Sequence, residues 1–216
     1  MHKVPSELEL SYDRVAREYA RRFFHELDAK PRDRELLDHF AELVIPLGPA
    51  CDVGCGPGEV AHYLQQQGVD ACGVDLSAEM VAVARELSPE IPFYQGDMGS
   101  LPFANASLGG IAAFYSIVHV PRANIPSVLG EFARVLVPGG WVLITFHIGE
   151  EILHVEEFLG EVVSMDFLYF QPQEIIDFLM DAGFEVGDVV VRDPYPDVEY
   201  QSQRAYIFAK APEIAK

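Results

Sequence analysis

Three glycines at every second position, placed after a short apolar run, constrain the fold of this chain more than any other feature. They lie in residues 50–58, ACDVGCGPG, and a second apolar run, residues 71–74, ends at Asp75. Such runs are typical of buried parallel strands, and glycine lets the backbone approach a ligand where a Cβ would intervene. Residues 59–67 indicate a helix between the two runs. The sequence therefore predicts a strand, a glycine-rich turn, a helix and a second strand, with a ligand crevice at the carboxyl ends of the strands.

The spacing of the glycines discriminates between nucleotide ligands. A dinucleotide-binding turn requires G-x-G-x-x-G, with the pyrophosphate at the N-terminus of the following helix. Here the pattern is G-x-G-x-G, and Asp52 precedes its first glycine by two residues. A carboxylate at this point repels a pyrophosphate but attracts a cation such as S-adenosylmethionine (SAM), which carries a sulfonium and an α-ammonium group. Asp75, at the end of the second run, is placed to accept both ribose hydroxyls.

Four further motifs follow in order along the chain. They are Asp75-Leu76-Ser77 with Met80, Gln95-Gly96-Asp97-Met98 with residues 101–103 (LPF), residues 111–116 (IAAFYS) and residues 136–144 (LVPGGWVLI). Together with the glycine-rich turn, these motifs resemble those of the class I SAM-dependent methyltransferases of small-molecule type. The resemblance extends over about residues 35–210, and five ordered motifs are far more specific than a single glycine pattern.

The resemblance implies a fold and a set of cofactor contacts. The fold is α/β: a Rossmann-like, mostly parallel sheet of seven strands with helices on both faces and an antiparallel C-terminal hairpin, whose strands we expect at residues 184–192 and 204–209. In that family the acid after the second strand binds the ribose, apolar residues flank the adenine, and the acid after the third strand accepts from the adenine amino group. The expected cofactor contacts are Tyr12, Tyr19, Asp52, Gly54, Cys55, Gly56, Gly58, Asp75, Leu76, Met80, Asp97, Met98 and Tyr115.

Length and composition fit one domain with a sizeable core, since half of the 216 residues are hydrophobic. We expect an N-terminal helical lid (1–46), a cofactor-binding core (47–146), an acceptor cap (147–171) and a C-terminal helix and hairpin (172–216). Residues 1–5 do not predict a signal peptide, so a cytoplasmic protein without a membrane partner is expected. The net charge of −19 opposes a nucleic-acid substrate, because phosphate contacts supply much of the affinity for nucleic acids. The three cysteines, an odd number, are expected to be reduced.

Tyr12, Val15, Ala16, Tyr19 and Phe23 share one face of a predicted N-terminal helix. The face either packs on the domain as an ordinary amphipathic surface or, as in many relatives of the family, closes over the methionine end of the cofactor with its tyrosines. Four arginines of the same helix indicate a solvated face or a local anion site; they are Arg14, Arg17, Arg21 and Arg22.

Two histidines are candidate general bases. His119 follows the expected fourth strand and His147 ends the expected fifth, so both are expected at the edge of the sheet where methyl transfer takes place. Imidazole titrates near neutrality and can take a proton from a hydroxyl or amine, although either histidine can equally be structural. His147, His154 and neighbouring glutamates suggest a metal site only weakly, and no metal is expected. Possible acceptor contacts lie nearer the C-terminus: Tyr195, Glu199, Tyr200 and Arg204.

The expected function is transfer of a methyl group from SAM to a small-molecule acceptor by in-line displacement, most readily at oxygen or nitrogen. The sulfonium already activates the methyl group, so the protein must mainly align the acceptor and exclude water. A noncatalytic SAM-binding regulatory protein remains an alternative. An NAD-type oxidoreductase is a weaker alternative, because the glycine spacing opposes it. The sequence leaves the acceptor and the oligomeric state open.

Overall fold

The computed structural model describes residues 4–213; the outermost residues of the expected single domain, 1–3 and 214–216, lie outside the described part. Within it the chain forms six α-helices and nine strands. The helices are α1 (Glu7–Phe23), α2 (Pro31–Val44), α3 (Glu59–Gln66), α4 (Ala78–Leu87), α5 (Ile125–Val135) and α6 (Pro172–Asp181). The strands are β1 (Ala50–Val53), β2 (Ala71–Asp75), β3 (Phe93–Gln95), β4 (Leu108–Phe114), β5 (Leu136–His147), β6 (Ile152–Phe158), β7 (Glu161–Leu168), β8 (Glu185–Arg192) and β9 (Arg204–Lys210). No helix between residues 4 and 213 has the length and apolar character that a membrane span needs.

Seven strands form one sheet in the order β3-β2-β1-β4-β5-β9-β8. The first five are parallel, whereas β9 runs antiparallel to both β5 and β8. The expected seven-stranded, mostly parallel sheet with an antiparallel C-terminal hairpin is therefore confirmed. The fourth strand ends at Phe114, two residues earlier than expected, because Tyr115 adopts a left-handed φ of 55° that turns the chain out of the sheet.

Helices cover both faces of the sheet because alternate residues of each central strand point in opposite directions. Ile111 and Ile144 lie in one apolar cluster with residues of α5 and α6. Ala112 and Leu143, their neighbours in sequence, lie in a second cluster with α2 and α3. Burial on both faces explains the nearly continuous apolar runs of β1, β4 and β5.

Within residues 147–171, the expected acceptor cap, the chain forms a separate hairpin. Strands β6 and β7 pair with each other and join through Leu159 and Gly160, which both have positive φ, as a tight two-residue hairpin turn requires. The inner face of β7 is buried through Val163 and Met165, which share an apolar cluster with residues of α1. Helix α1 and the hairpin together therefore form one layer over the edge of the sheet.

Candidate functional site

A cavity of about 560 Å³ lies at the carboxyl ends of β1, β2, β3 and β4, beneath α1. We call its two sides the strand wall and the lid wall. The strand wall comprises Gly54, Gly56, Asp75, Leu76, Asp97, Met98, Tyr115 and Ser116. The lid wall comprises Leu8, Glu9, Tyr12 and Tyr19, all from α1. Crevices at this edge of a parallel sheet are the usual ligand sites of such folds.

Asp75 ends β2 and presents a fixed carboxylate to the cavity. Its Oδ2 accepts the Gly56 N–H at 2.8 Å, and its Oδ1 accepts the Ser77 N–H at 2.8 Å. Burial raises the pKa of the Asp75 carboxyl to about 6, although these backbone hydrogen bonds favour its charged form. Each oxygen keeps a further lone pair, so the carboxylate can accept two hydroxyl groups from a ligand.

Gly54 and Gly56 shape the turn between β1 and α3, with φ values of 74° and 52°. A Cβ on Gly54 would lie 2.3 Å from the Ser116 Cβ, so this glycine allows the turn to pack against the segment that follows β4. A Cβ on Gly56 would instead have the Tyr19 ring as its nearest neighbour, at 3.9 Å. Gly56 therefore keeps open the space between the strand wall and the lid wall.

Three of the expected cofactor contacts do not line the cavity within the described residues. Asp52 is 2% exposed, and its carboxylate accepts the Ala61 N–H at 3.2 Å. Its side chain therefore lies against the start of α3, and burial raises the pKa of its carboxyl to about 8. Cys55 is buried in a small apolar cluster, and a Cβ on Gly58 would come within 2.7 Å of the Phe93 ring. These three residues therefore belong to the packed side of the glycine-rich turn, away from the cavity.

The other ten expected contacts line the cavity, including both tyrosines of α1. The Tyr12 hydroxyl lies 2.6 Å from Nε2 of His119. Nδ1 of His119 lies 2.8 Å from the backbone oxygen of Asp166 in β7, an atom that can only accept, so Nδ1 carries the proton and Nε2 accepts from Tyr12. Burial lowers the pKa of His119 to about 4. This neutral imidazole joins α1, the hairpin and the turn after β4.

His147 does not line the cavity. It ends β5 as expected, but its Nδ1 lies 2.6 Å from the Ser202 hydroxyl, and its ring packs among Tyr115, Tyr169 and Tyr200. Burial, followed by the positive charge of Arg204, lowers the pKa of His147 to about 4. Only the Tyr115 ring of this cluster also reaches the cavity wall. The two candidate bases are therefore in different surroundings, although both follow strands that end at the same edge.

The possible acceptor contacts near the C-terminus also lie away from the cavity. Glu199 is buried between cations, with Lys30 Nζ at 3.4 Å and Arg204 Nε at 3.2 Å. Arg192 pairs with both Glu199 and Asp33 of α2. This ionic cluster fixes the β8–β9 connection to α2, which is a structural role.

Five carboxylates line the cavity, whereas none of its lining residues within 4–213 is a lysine or arginine. They are Glu9, Glu26, Glu59, Asp75 and Asp97. Sequence reasoning missed Glu9, Glu26 and Glu59. Glu59 carried a weak signal, because it follows Gly58 directly, but glutamate is common in the first turn of any helix. Glu26 lies in a short turn after α1 and carried no signal.

Comparison with known proteins matches residues 50–140 to a family described as a methyltransferase domain. The chain is 36% identical over 117 residues to malonyl-[acyl-carrier protein] O-methyltransferase of Pectobacterium atrosepticum. The aligned segment covers 48% of this chain and 45% of that protein. It is 38% identical over 106 residues to 2-phytyl-1,4-naphtoquinone methyltransferase of Thermosynechococcus vestitus, with coverages of 45% and 46%. The chain thus spans less than half the length of these relatives.

Solved structures share the fold more widely. A putative methyltransferase of Haloferax volcanii, in complex with the Trm112 methyltransferase activator, has a TM-score of 0.71 at 21% identity and covers 97% of this chain and 99% of its own. The glycopeptide N-methyltransferase MtfA, in complex with SAM, has a TM-score of 0.64 at 17% identity, with coverages of 83% and 94%. At these identities the likeness shows the fold alone. Residues 50–140 thus match a methyltransferase domain, and over most of its length the chain shares the fold of these two solved structures.

Proposed function

We propose that this chain binds SAM in the cavity and transfers its methyl group to a small-molecule acceptor by in-line displacement. The observation that carries the proposal is the Asp75 carboxylate, which two backbone N–H groups hold in place while it keeps lone pairs for two hydroxyls. A ribose offers two adjacent hydroxyls of this kind. Leu76 and Met80, which line the cavity beside Asp75, would flank the adenine.

The charges of the cavity fit SAM better than a dinucleotide. The five carboxylates attract the sulfonium and ammonium groups of SAM. A pyrophosphate would find no lysine or arginine among the lining residues of the described chain, and the same carboxylates would repel it. The open space at Gly56, beneath the Tyr19 ring, suits close approach of a ligand to the backbone.

SAM supplies a methyl group that is already activated by its sulfonium. The residues of the chain therefore need to orient the two reactants, enclose them and exclude water. The strand wall would fix the nucleoside, and the lid wall would close over it with Tyr12 and Tyr19. The two curated relatives are named for a malonyl-[acyl-carrier protein] and a quinone-type acceptor. The acidity of this cavity favours an uncharged or cationic acceptor, methylated at oxygen or nitrogen.

Of the two candidate bases, we propose His119, because it lies in the cavity wall whereas His147 does not. Its Nε2 already accepts the Tyr12 hydroxyl, so a base role requires Tyr12 to move away as the acceptor binds. Replacement by alanine should then slow turnover by much more than the few-fold loss of SAM affinity that a loosened α1 would cause. A cytoplasmic location belongs to the same proposal, since the three free cysteines suit a reducing compartment.

Titration calorimetry with SAM, S-adenosylhomocysteine and NAD tests the proposal. We expect binding of the first two ligands and none of NAD. The Asp75→Ala variant should lose about a hundredfold in SAM affinity, because two charge-assisted hydrogen bonds disappear. Asp70→Ala is the matched control, since Asp70 precedes the opposite end of β2 and is exposed. Binding of NAD alone, or full SAM affinity in a folded Asp75→Ala protein, would contradict the proposal; SAM binding without turnover on any acceptor would favour the noncatalytic alternative.

A further inference from the structure

Two cavity residues have a buried polar atom that lacks a hydrogen-bond partner. Within residues 4–213 such atoms are Glu59 Oε2, Ser116 Oγ and Arg204 Nε. Arg204 Nε has an ionic partner, because the Glu199 carboxylate lies 3.2 Å away. Glu59 and Ser116, in contrast, both line the cavity. Buried polar atoms without partners are rare and destabilising, so a ligand that completes them is the simplest physical explanation.

The strand order places Glu59 at a defined part of the cavity. Asp75, the proposed ribose site, ends β2, and Asp97 follows β3 on one side of it. Glu59 begins α3 directly after the turn that follows β1, the neighbour of β2 on the other side. A nucleoside with its base towards β3 and its ribose at β2 therefore directs its 5′ substituent towards β1 and Glu59.

Glu59 also differs from the other carboxylates of the cavity. Lys30 Nζ lies 2.9 Å from the Glu26 carboxylate and 3.4 Å from that of Glu199, so the nearby cation already has two partners. Backbone N–H groups hold the Asp75 carboxylate. Burial raises the pKa of Glu59, and the charges of Glu26 and Asp52 raise it further. A cation bound at Glu59 would stabilise the charged form of this carboxylate.

We propose that Glu59 binds the α-ammonium group of the methionine moiety of SAM and so selects nucleosides whose tail carries an ammonium group. The inference rests on the proposed function, because it takes the ribose to lie at Asp75. Ser116, which packs against Gly54 on the β4 side of the same turn, can accept a second N–H of this group. Glu59 thus makes the cavity specific for the tail, as Asp75 makes it specific for the sugar.

The test compares two ligands that differ only at the tail. S-adenosylhomocysteine carries the ammonium group, whereas 5′-methylthioadenosine retains the nucleoside and the sulfur but lacks the amino-acid tail. In Glu59→Gln we expect the Kd of S-adenosylhomocysteine to rise at least about tenfold, as for loss of a charged hydrogen bond, while the Kd of 5′-methylthioadenosine stays unchanged. Glu90→Gln, which removes the same charge from an exposed position, controls for long-range electrostatics.

The melting temperature of the ligand-free protein separates recognition from a structural role. Glu59→Gln removes a buried negative charge from a side chain whose Oε2 has no hydrogen-bond partner, so we expect this temperature to remain equal or to rise. Equal weakening of both ligands, or no weakening of either, would overturn the inference while leaving the proposed function intact. If the wild-type protein binds neither ligand, the proposed function fails, and the inference fails with it.

Discussion

The strand wall and the lid wall enclose the same cavity but are held by different kinds of contact. In the strand wall the N–H groups of Gly54 and Cys55 both donate to the Val74 carbonyl, at 2.7 and 3.0 Å. Helix α1, which carries the lid wall, is instead connected through side chains such as those of Ser11 and Tyr12. A wall held mainly by its backbone is altered most when a Cβ or a φ angle is forced on it, whereas a helix held by side chains can be loosened one hydrogen bond at a time.

The largest effect is expected from a forced Cβ in the strand wall. Gly54→Ala places a methyl group 2.3 Å from the Ser116 Cβ at a φ of 74°, and we expect a loss of about 3 kcal/mol or more in the free energy of unfolding. Gly68→Ala is the control, because Gly68 has a φ of 90° but no atom within 4 Å of the added Cβ. Backbone strain alone should cost that variant about 1 kcal/mol.

Urea unfolding of both variants measures the difference. Equal losses for Gly54→Ala and Gly68→Ala would show that the close approach of the strand wall to Ser116 contributes nothing beyond backbone strain.

A smaller effect is expected from acid, through His119 at the junction of the lid wall with the hairpin. Burial lowers the pKa of His119 to about 4 from the ordinary value of 6.5, so the unfolded chain takes up the proton first as the pH falls. The stability that neutral His119 contributes is therefore complete above pH 6.5 and is lost progressively towards pH 4. Between about pH 7.5 and about pH 5, wild type should lose about 2 kcal/mol relative to His119→Gln.

Denaturant unfolding of the two proteins at both pH values checks this expectation. Asp52 and Asp75 also titrate, but they do so in both proteins and cancel in the difference. Parallel pH profiles would mean that His119 is not held neutral at this junction.

The smallest effect is expected from the loss of one hydroxyl group on helix α1, which carries the lid wall. The buried Ser11 hydroxyl accepts the Ser164 N–H at 3.0 Å and so ties α1 to β7. Ser11→Ala should lower the free energy of unfolding by about 1 kcal/mol and weaken SAM binding about threefold, because α1 is held less firmly. Ser107→Ala removes a hydroxyl that bonds the Ala104 carbonyl at 2.7 Å far from the cavity, so it should leave SAM binding unchanged. A matching loss of affinity in both serine variants would argue against the role of Ser11.

The sheet and the glycine-rich turn could be predicted because their causes are local. Strands buried on both faces require continuous apolar runs, and a turn that passes close to a neighbouring segment requires glycine, as Gly54 does against Ser116. Asp75 was equally predictable, since it ends a strand at the edge where the ligand crevice of such a sheet lies.

Side-chain direction and tertiary surroundings could not be predicted. Asp52 lies in a four-residue strand whose every residue is buried, so alternation of apolar and polar residues gives no indication of where its carboxylate points. His147 ends at the same edge as Asp75, but aromatic side chains from β7 onward surround it, and their positions depend on distant parts of the chain. The hairpin was missed because its turn is Leu159-Gly160 rather than a pair such as Asn-Gly, which strongly signals a hairpin.

The hairpin of β6 and β7 begins and ends at nearly the same point of the fold. Ile148, just before it, forms a bridge with Phe170, just after it, and the Phe170 N–H donates to the His147 carbonyl at 3.1 Å. Because the two ends of the insert are adjacent, its length and sequence can change without moving β5 or α6. The hairpin is therefore a segment that can be exchanged without rebuilding the sheet, and under the proposed function its exchange should change which acceptor is methylated.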